Sequence, residues 1–469
     1  MIGAMHLTFL GANRQVTGSR YLLEVAGLSL LIDCGMFQER DFQHRNFERP
    51  PFEPGQIDAV LLTHAHLDHC GLLPRLVRDG FRGPIWTQKA SVELAALVLA
   101  DAARLQGEDV RLKERRHQRE GRRSQHPYEP LYSPEDAAKA IRQFRGVAYD
   151  QAVDLGHGVT ATCREAGHVL GSASIEVDTP DGRIVFSGDV GVWDKPLIRD
   201  PARIASADFL VMESTYGDST HDRTLSIEDQ LAPLINDTVQ RGGNVVIPTF
   251  AIERAQELLY HLNNLLGHDR IPHLLAFLDS PMAVTATTVF QEHTELLDRE
   301  AAALLKRGDD PLDFPGLVLS RTSQQSKGIN RVRGSCIIMA GSGMCTGGRI
   351  KHHLERNLPN PRSTILFVGY QAEGTLGRVI QHARHDEAVR IFNRPVPVRA
   401  KIANLSGMSA HADEPALVRW LSAISPKPRH IFLTHGEPAP AERLANTLRG
   451  LGYTGVEVPA YGHRAELRA

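Results

Sequence analysis

The chain has 469 residues, room for about two to three domains, and a composition ordinary for a globular protein. Its 53 basic and 55 acidic side chains leave a formal charge of −2, so no global field marks a polyanion or membrane partner and any such site has to be local. No apolar run approaches a membrane span, and no basic segment leads into a secretory apolar core, so the expected location is cytoplasmic.

In chain order, the first short apolar run is Leu28–Ile32, read as a buried strand that closes on Asp33. The next, Ala59–Leu62, leads into His64-Ala65-His66-Leu67-Asp68-His69, four metal-capable side chains within six positions, with a helix expected from near Gly71. A strand tip holds ligands rigidly. Imidazole suits zinc, carboxylate can bridge or complete a shell, and this segment exceeds what one open catalytic zinc needs locally, so the spacing suggests two metals. Residues 101 to 150 are more polar, and Arg111–Arg123 carries seven basic side chains against two acidic ones. That run reads as a solvated helix and loop in preference to a phosphate-binding patch.

His168 follows in the glycine-flanked turn Glu165–Ser172, and Asp189 closes the strand Ile184–Phe186 through Ser187-Gly188. Taken singly, either is an ordinary turn residue. From 206 to 395 the runs Phe209–Met212, Val245–Ile247, Ile337–Met339 and Ile365–Val368 alternate with helical stretches such as Ile252–Leu266, which suggests a second α/β domain. Within it, Gly341-Ser342-Gly343-Met344 and Gly347-Gly348-Arg349 follow a strand, where glycine-presented amides can cradle phosphate oxygens, and Arg254 adds a cation near a helix start. Near the end, Ile431-Phe432-Leu433-Thr434-His435 mirrors Val60-Leu61-Leu62-Thr63-His64, a hint of internal duplication. The five cysteines, Cys34, Cys70, Cys163, Cys336 and Cys345, form no C-x-x-C pair and read as reduced structural thiols.

Taken together, His64, His66, Asp68, His69, His168, Asp189 and His435 resemble the signature of the metallo-β-lactamase superfamily, H-x-H-x-D-H with later His, Asp and His ligands. Val211–Gly217, Ser409–Asp413 and Leu433–Glu437 resemble, in order, the three motifs of the β-CASP nucleases, and a His at the third, here His435, is typical of RNA-processing members. The resemblance covers essentially the whole chain. It implies an α/β fold: an αββα metallo-β-lactamase sandwich from residues 1–205 and 396–469, with a β-CASP α/β domain at 206–395 inserted in it.

The resemblance further implies His64, His66 and His168 on one metal, Asp68, His69 and His435 on the other, Asp189 bridging, and Asp33 supporting a ligand from outside the shell. Two Zn2+ per chain are expected, with Mn2+ acceptable to a site containing carboxylates and water. Two such ions lower the pKa of a shared water and clamp the oxygens of an in-line phosphoryl displacement, so no serine or cysteine nucleophile is needed. By resemblance, Asp68 and Asp33 serve the reaction through this centre, while His411 contacts the scissile phosphate as general acid, oriented by Glu213. Contacts to RNA are expected at Arg254, Gly341, Ser342, Gly343, Arg349 and Ser409. The implied activity is hydrolysis of single-stranded RNA, as endonuclease, 5′–3′ exonuclease or both, with no membrane partner and a homodimer as an allowed assembly. The competing readings are a small-molecule metallo-hydrolase, against which the roughly 190-residue second domain argues, and an inactive scaffold of an RNA-processing complex, against which the full ligand set argues.

Overall fold

The structure, a computed structural model, describes residues 5–121, 128–222 and 224–468; Arg122 and Arg123 of the basic run lie outside the described residues. It divides into two compact units. The first comprises Met1–Lys195, Asp200–Thr220 and Ala410–Ala469, the second Pro196–Arg199 and His221–Ser409.

The first unit is built on two seven-stranded sheets of the same plan. In one, Arg464–Leu467, Met5–Phe9, Tyr21–Val25 and Leu28–Ile32 pair antiparallel, and Ala59–Leu61, Ile85–Gln88 and Phe144–Val147 extend it in parallel. In the other, Ala152–Gly156, Val159–Glu165, Ala173–Thr179 and Gly182–Phe186 are antiparallel, and Phe209–Glu213, His430–Thr434 and Val456–Glu457 follow in parallel. Burial tracks this difference. Met5–Phe9 and Tyr21–Val25 alternate buried and half-buried residues, whereas Phe209–Glu213 is buried throughout, as a parallel strand covered on both faces must be.

The facing sides of the sheets share one core in which Leu7, Phe9, Leu23 and Ile32 meet Ile175, Val177, Phe186 and Phe432. Phe9 and Phe432 approach to 5.0 Å between ring centroids, and Tyr21 and Phe186 to 6.0 Å. On the outer side of the second sheet, Leu210, Met212, Ile431 and Leu433 lie under helices Glu414–Ser422 and Pro438–Gly450 through Trp420, Leu421, Leu444 and Leu448. Helix Lys89–Glu120 packs on Ile85–Gln88 and Phe144–Val147. The result is the αββα sandwich. The matching Thr-His ends do not mark equivalent places in the repeat: Ala59–Leu61 is the first parallel strand of its sheet, His430–Thr434 the second of its own.

The second unit carries a parallel sheet of six strands, in the order Leu317–Leu319, Leu275–Leu278, Cys336–Ala340, Val245–Pro248, Thr364–Phe367 and Lys401–Asn404, and a hairpin of Ala388–Ile391 with Arg394–Pro397. Ile338, Ile365 and Phe367 pack there against Ile350, Leu354 and Ile380 of the crossover helices. Two strands fall on the other side of the expected boundaries. Phe209–Glu213 belongs to the first unit because it is hydrogen-bonded between Gly182–Phe186 and His430–Thr434, and Lys401–Asn404, past 395, is the edge strand of the second unit's sheet. Among the described residues no helix is long and apolar enough to cross a membrane, and all five cysteines are free and buried.

Candidate metal centre

Strand ends of the first unit deliver a polar cluster into one place. Asp33 directly follows Leu28–Ile32, His64 lies just beyond Ala59–Leu61, Asp189 just beyond Gly182–Phe186, and His435 directly after His430–Thr434. His66 is the N-cap of the helical turn Leu67–Cys70, on which Asp68 and His69 sit, so this short helix begins earlier than the expected Gly71. His168 occupies the turn between Val159–Glu165 and Ala173–Thr179. Asp189 reaches the cluster because Gly188 turns with φ +56°, where a Cβ would stand 2.8 Å from the Ala173 carbonyl.

Two ligand groups result, and a third overlaps them. His64, His66, His168 and Asp189 place one ligand atom each within 4.8 Å of one another, as do Asp68, His69 and His435, and as do Asp189, His411 and His435. In the first group His64 Nε2 lies 3.0 Å from His66 Nδ1, and His66 Nδ1 lies 3.2 Å from His168 Nε2. Asp189 Oδ2 is 3.5 Å from both His64 Nε2 and His168 Nε2, while its Oδ1 turns the other way, 3.4 Å from His69 Nε2 and 3.6 Å from His435 Nε2. His69 Nε2 and His435 Nε2 are 3.1 Å apart, and Asp68 Oδ2 lies 3.6 Å from His435 Nε2.

The far side of each ring settles its tautomer. His69 Nδ1 donates to Asp33 Oδ2 at 2.7 Å, His168 Nδ1 to the Ala410 carbonyl at 3.1 Å, His64 Nδ1 to Thr63 Oγ1 at 3.1 Å and His435 Nδ1 to Thr215 Oγ1 at 3.0 Å. Each of these four rings therefore presents Nε2 to the cluster; burial lowers His69 and His435, but the Asp189, Asp33 and Asp68 carboxylates outweigh it and raise both, so these two Nε2 atoms must give up a proton to bind a metal. Burial and the neighbouring rings hold His64 and His168 well below the ordinary imidazole range, which keeps their lone pairs available.

These residues fit bound zinc. Five ring nitrogens and the oxygens of Asp68 and Asp189 converge here, with ring nitrogens as close as 3.0 to 3.2 Å. Two nitrogens bound at about 2.0–2.1 Å in a tetrahedral shell stand about 3.3 Å apart, close to the spacing here. The buried Oδ1 of Asp189 has no hydrogen-bond partner, which an acceptor facing a metal does not need.

Beside the cluster, His411 Nδ1 faces Glu213 Oε2 at 3.1 Å, and its Nε2 points toward Asp189 Oδ2 at 3.9 Å. Glu213 is 1% exposed and is also held by the Val190 amide at 2.6 Å. Burial pulls the His411 imidazole down, but the Glu213 and Asp189 carboxylates outweigh it and raise it to about 9. Its ring is thus held as a cation by a fixed carboxylate.

Sequence reading passed over Thr63 and Thr215, whose hydroxyls set two of the tautomers, and Ser19, which donates to Asp33 Oδ2 at 2.9 Å. The only available signal was adjacency, Thr63 preceding His64 and Thr215 standing in the Glu213 motif. The residues expected to contact RNA lie in the second unit. Gly341, Ser342 and Gly343 follow Cys336–Ala340, and Ser409 ends the unit. Arg254 is 8% exposed with its guanidinium 2.6 Å from Glu257, and Arg349 donates to Asp279 and to the carbonyls of Ser320 and Arg321.

Comparison with known proteins agrees with the fold. Residues 14–248 match the model of the metallo-beta-lactamase superfamily, 255–380 that of the Beta-Casp domain and 395–459 that of a Zn-dependent metallo-hydrolase RNA specificity domain. The chain is 38% identical over 454 residues to ribonuclease TTHA0252 of Thermus thermophilus, covering 97% of each. It is 31% identical over 467 residues to the transcription termination factor FttA of Methanocaldococcus jannaschii, covering 95% of this chain and 69% of that one. Among solved structures, a protein of unknown function from Enterococcus faecalis V583 shares the fold at 14% identity, with a TM-score of 0.56 over 99% of this chain and 100% of that one. The chain belongs to the metallo-β-lactamase superfamily, as a β-CASP zinc-dependent metallo-hydrolase with an RNA specificity domain.

Proposed function

We propose that the protein is a two-zinc ribonuclease that hydrolyses phosphodiester bonds of single-stranded RNA, leaving a 5′-phosphate and a 3′-hydroxyl. The observation that carries this reading is Asp189, whose two carboxylate oxygens face two separate groups of imidazole nitrogens. His64, His66 and His168 would hold one zinc, Asp68, His69 and His435 the other, with Asp189 between them. Bound zinc would supply a water of lowered pKa and a clamp on the phosphoryl oxygens.

The rest is done by the chain's own groups. Asp33 fixes the His69 ring, so its Nε2 stays aimed inward. His411 is read as the general acid and not as a further ligand, since the two groups are filled without it. Glu213 orients its Nδ1, and Nε2 carries the proton to the ribose 3′ oxygen as the P–O3′ bond breaks. Gly341, Ser342, Gly343 and Ser409 are assigned to the RNA backbone, while Arg254 and Arg349 brace the loops they are paired in. The RNA specificity match at 395–459 favours RNA over a small-molecule substrate.

The test is incubation of the zinc-loaded protein with internally labelled and 5′-labelled single-stranded RNA, beside matching DNA and a chelator control. Chelator-sensitive internal fragments from RNA identify an endonuclease, and mononucleotides released from the 5′ end identify an exonuclease. Full zinc occupancy with no cleavage of RNA overturns the reading.

A further inference from the structure

Three neighbouring parallel strands of the second unit, Cys336–Ala340, Val245–Pro248 and Thr364–Phe367, end at one edge of its sheet. Two aromatic side chains stand exposed just past those ends: Phe250 is 44% and Tyr370 60% exposed, whereas Phe277 and Phe367 of the same sheet are 6% and 1% exposed. Single exposed apolar residues are unremarkable. Both belong to segments tied to the same glycine turn, Phe250 through its ring and Tyr370 through its backbone. The Phe250 ring lies against Gly343, where a Cβ would stand 2.7 Å from its Cδ2 and Cε2 atoms. The Gly343 carbonyl accepts from Gln371 Nε2 at 3.0 Å, and the same amide group reaches the Tyr370 carbonyl at 3.1 Å. Gly377 N donates to the Met344 carbonyl at 3.1 Å and Thr249 N to Ala340 at 3.0 Å, so all three turns are tied together.

We propose that Phe250 and Tyr370 form a platform on which bases of single-stranded RNA stack, an inference that deepens the ribonuclease reading and rests on it. The Phe250 ring, packed on Gly343, loses little freedom when a base lands on it, and the exposed Tyr370 ring stands on a backbone fixed to the same turn. A platform of this kind takes any base, since every base has a π-face. The glycine turn that carries the rings also supplies backbone amides for the phosphates between those bases.

The experiment titrates zinc-loaded full-length protein, by fluorescence anisotropy, with a cleavage-resistant phosphorothioate oligouridine and with the same backbone lacking its bases. The wild type is expected to prefer the strand with bases. Phe250→Ala and Tyr370→Ala are each expected to weaken binding of oligouridine about tenfold and to leave the abasic strand unaffected. Phe250→Tyr and Tyr370→Phe keep a ring and are expected to bind like the wild type, which separates a lost platform from a damaged fold. Alanine variants that bind oligouridine as tightly as the wild type overturn the proposal. Equal losses on both strands overturn it as well. A wild type that binds in the expected pattern yet cleaves no RNA keeps the platform and rejects the ribonuclease reading. One that cleaves RNA while the alanine variants bind normally rejects the platform alone.

Discussion

Asp33 and Asp189 stand at corresponding places in the two sheets of the first unit, each just past the last antiparallel strand, and both are almost fully buried. Their surroundings differ completely. Asp33 is saturated by donors, with Oδ1 accepting from the Thr63 amide at 2.8 Å and Oδ2 from Ser19 and His69. Asp189 faces ring nitrogens of five histidines, and its Oδ1 has no hydrogen-bond partner. A buried carboxylate held by hydrogen-bond donors is an anchor; one set among ligand-type ring nitrogens, with an oxygen left unmatched, is arranged for a cation. The same residue type at the same point of a repeated plan thus takes two roles, set by its neighbours.

Substitutions can break or sharpen that contrast. The largest effect is expected at Asp189: Asp189→Ala should lose bound zinc, measured by elemental analysis, and RNA cleavage with it, and retention of both metals would refute its bridging role. Next is His411→Ala, which should keep the metal and slow RNA cleavage about 10²- to 10⁴-fold, as removal of a general acid does; normal turnover would reject that assignment. Asp33→Asn, in the anchoring position, should reduce zinc affinity or turnover by only about 10- to 100-fold, the usual cost of losing an orienting partner of a ligating histidine. A loss as complete as at Asp189 would make Asp33 a ligand. The smallest effect is expected for Thr63→Val, which removes one hydroxyl from the anchor and should cost about 1 kcal/mol in denaturant unfolding.

Much of the centre was legible because its ligands are local. His64 to His69 crowd into one turn, and no packing requirement asks for that many imidazoles at a strand tip. His168, Asp189 and His411 were legible only through family resemblance, since each is a single polar residue in a turn, and only the fold brings them beside the others. Thr63 and Thr215 were not legible at all: a threonine hydroxyl carries no signal until the ring it orients is in view. Arg254 shows the opposite case. At a helix start it reads as an available cation, but burial beside Glu257 is a property of packing that a single sequence does not display. The domain boundaries were blurred for a topological reason, because the chain adds Phe209–Glu213 to the first unit's sheet after Pro196–Arg199 has already joined the second.

The ends of the described chain are paired as neighbours, with Met5–Phe9 lying beside Arg464–Leu467, and the groups of the centre run from Asp33 to His435. During synthesis, then, a chain still held before His435 has one of the two groups entire and the other one residue short, and Met5–Phe9, already paired with Tyr21–Val25, waits for its second neighbour more than 450 positions away. Contacts of such long separation form late. The groups of the centre therefore come together only after the chain has been made past His435.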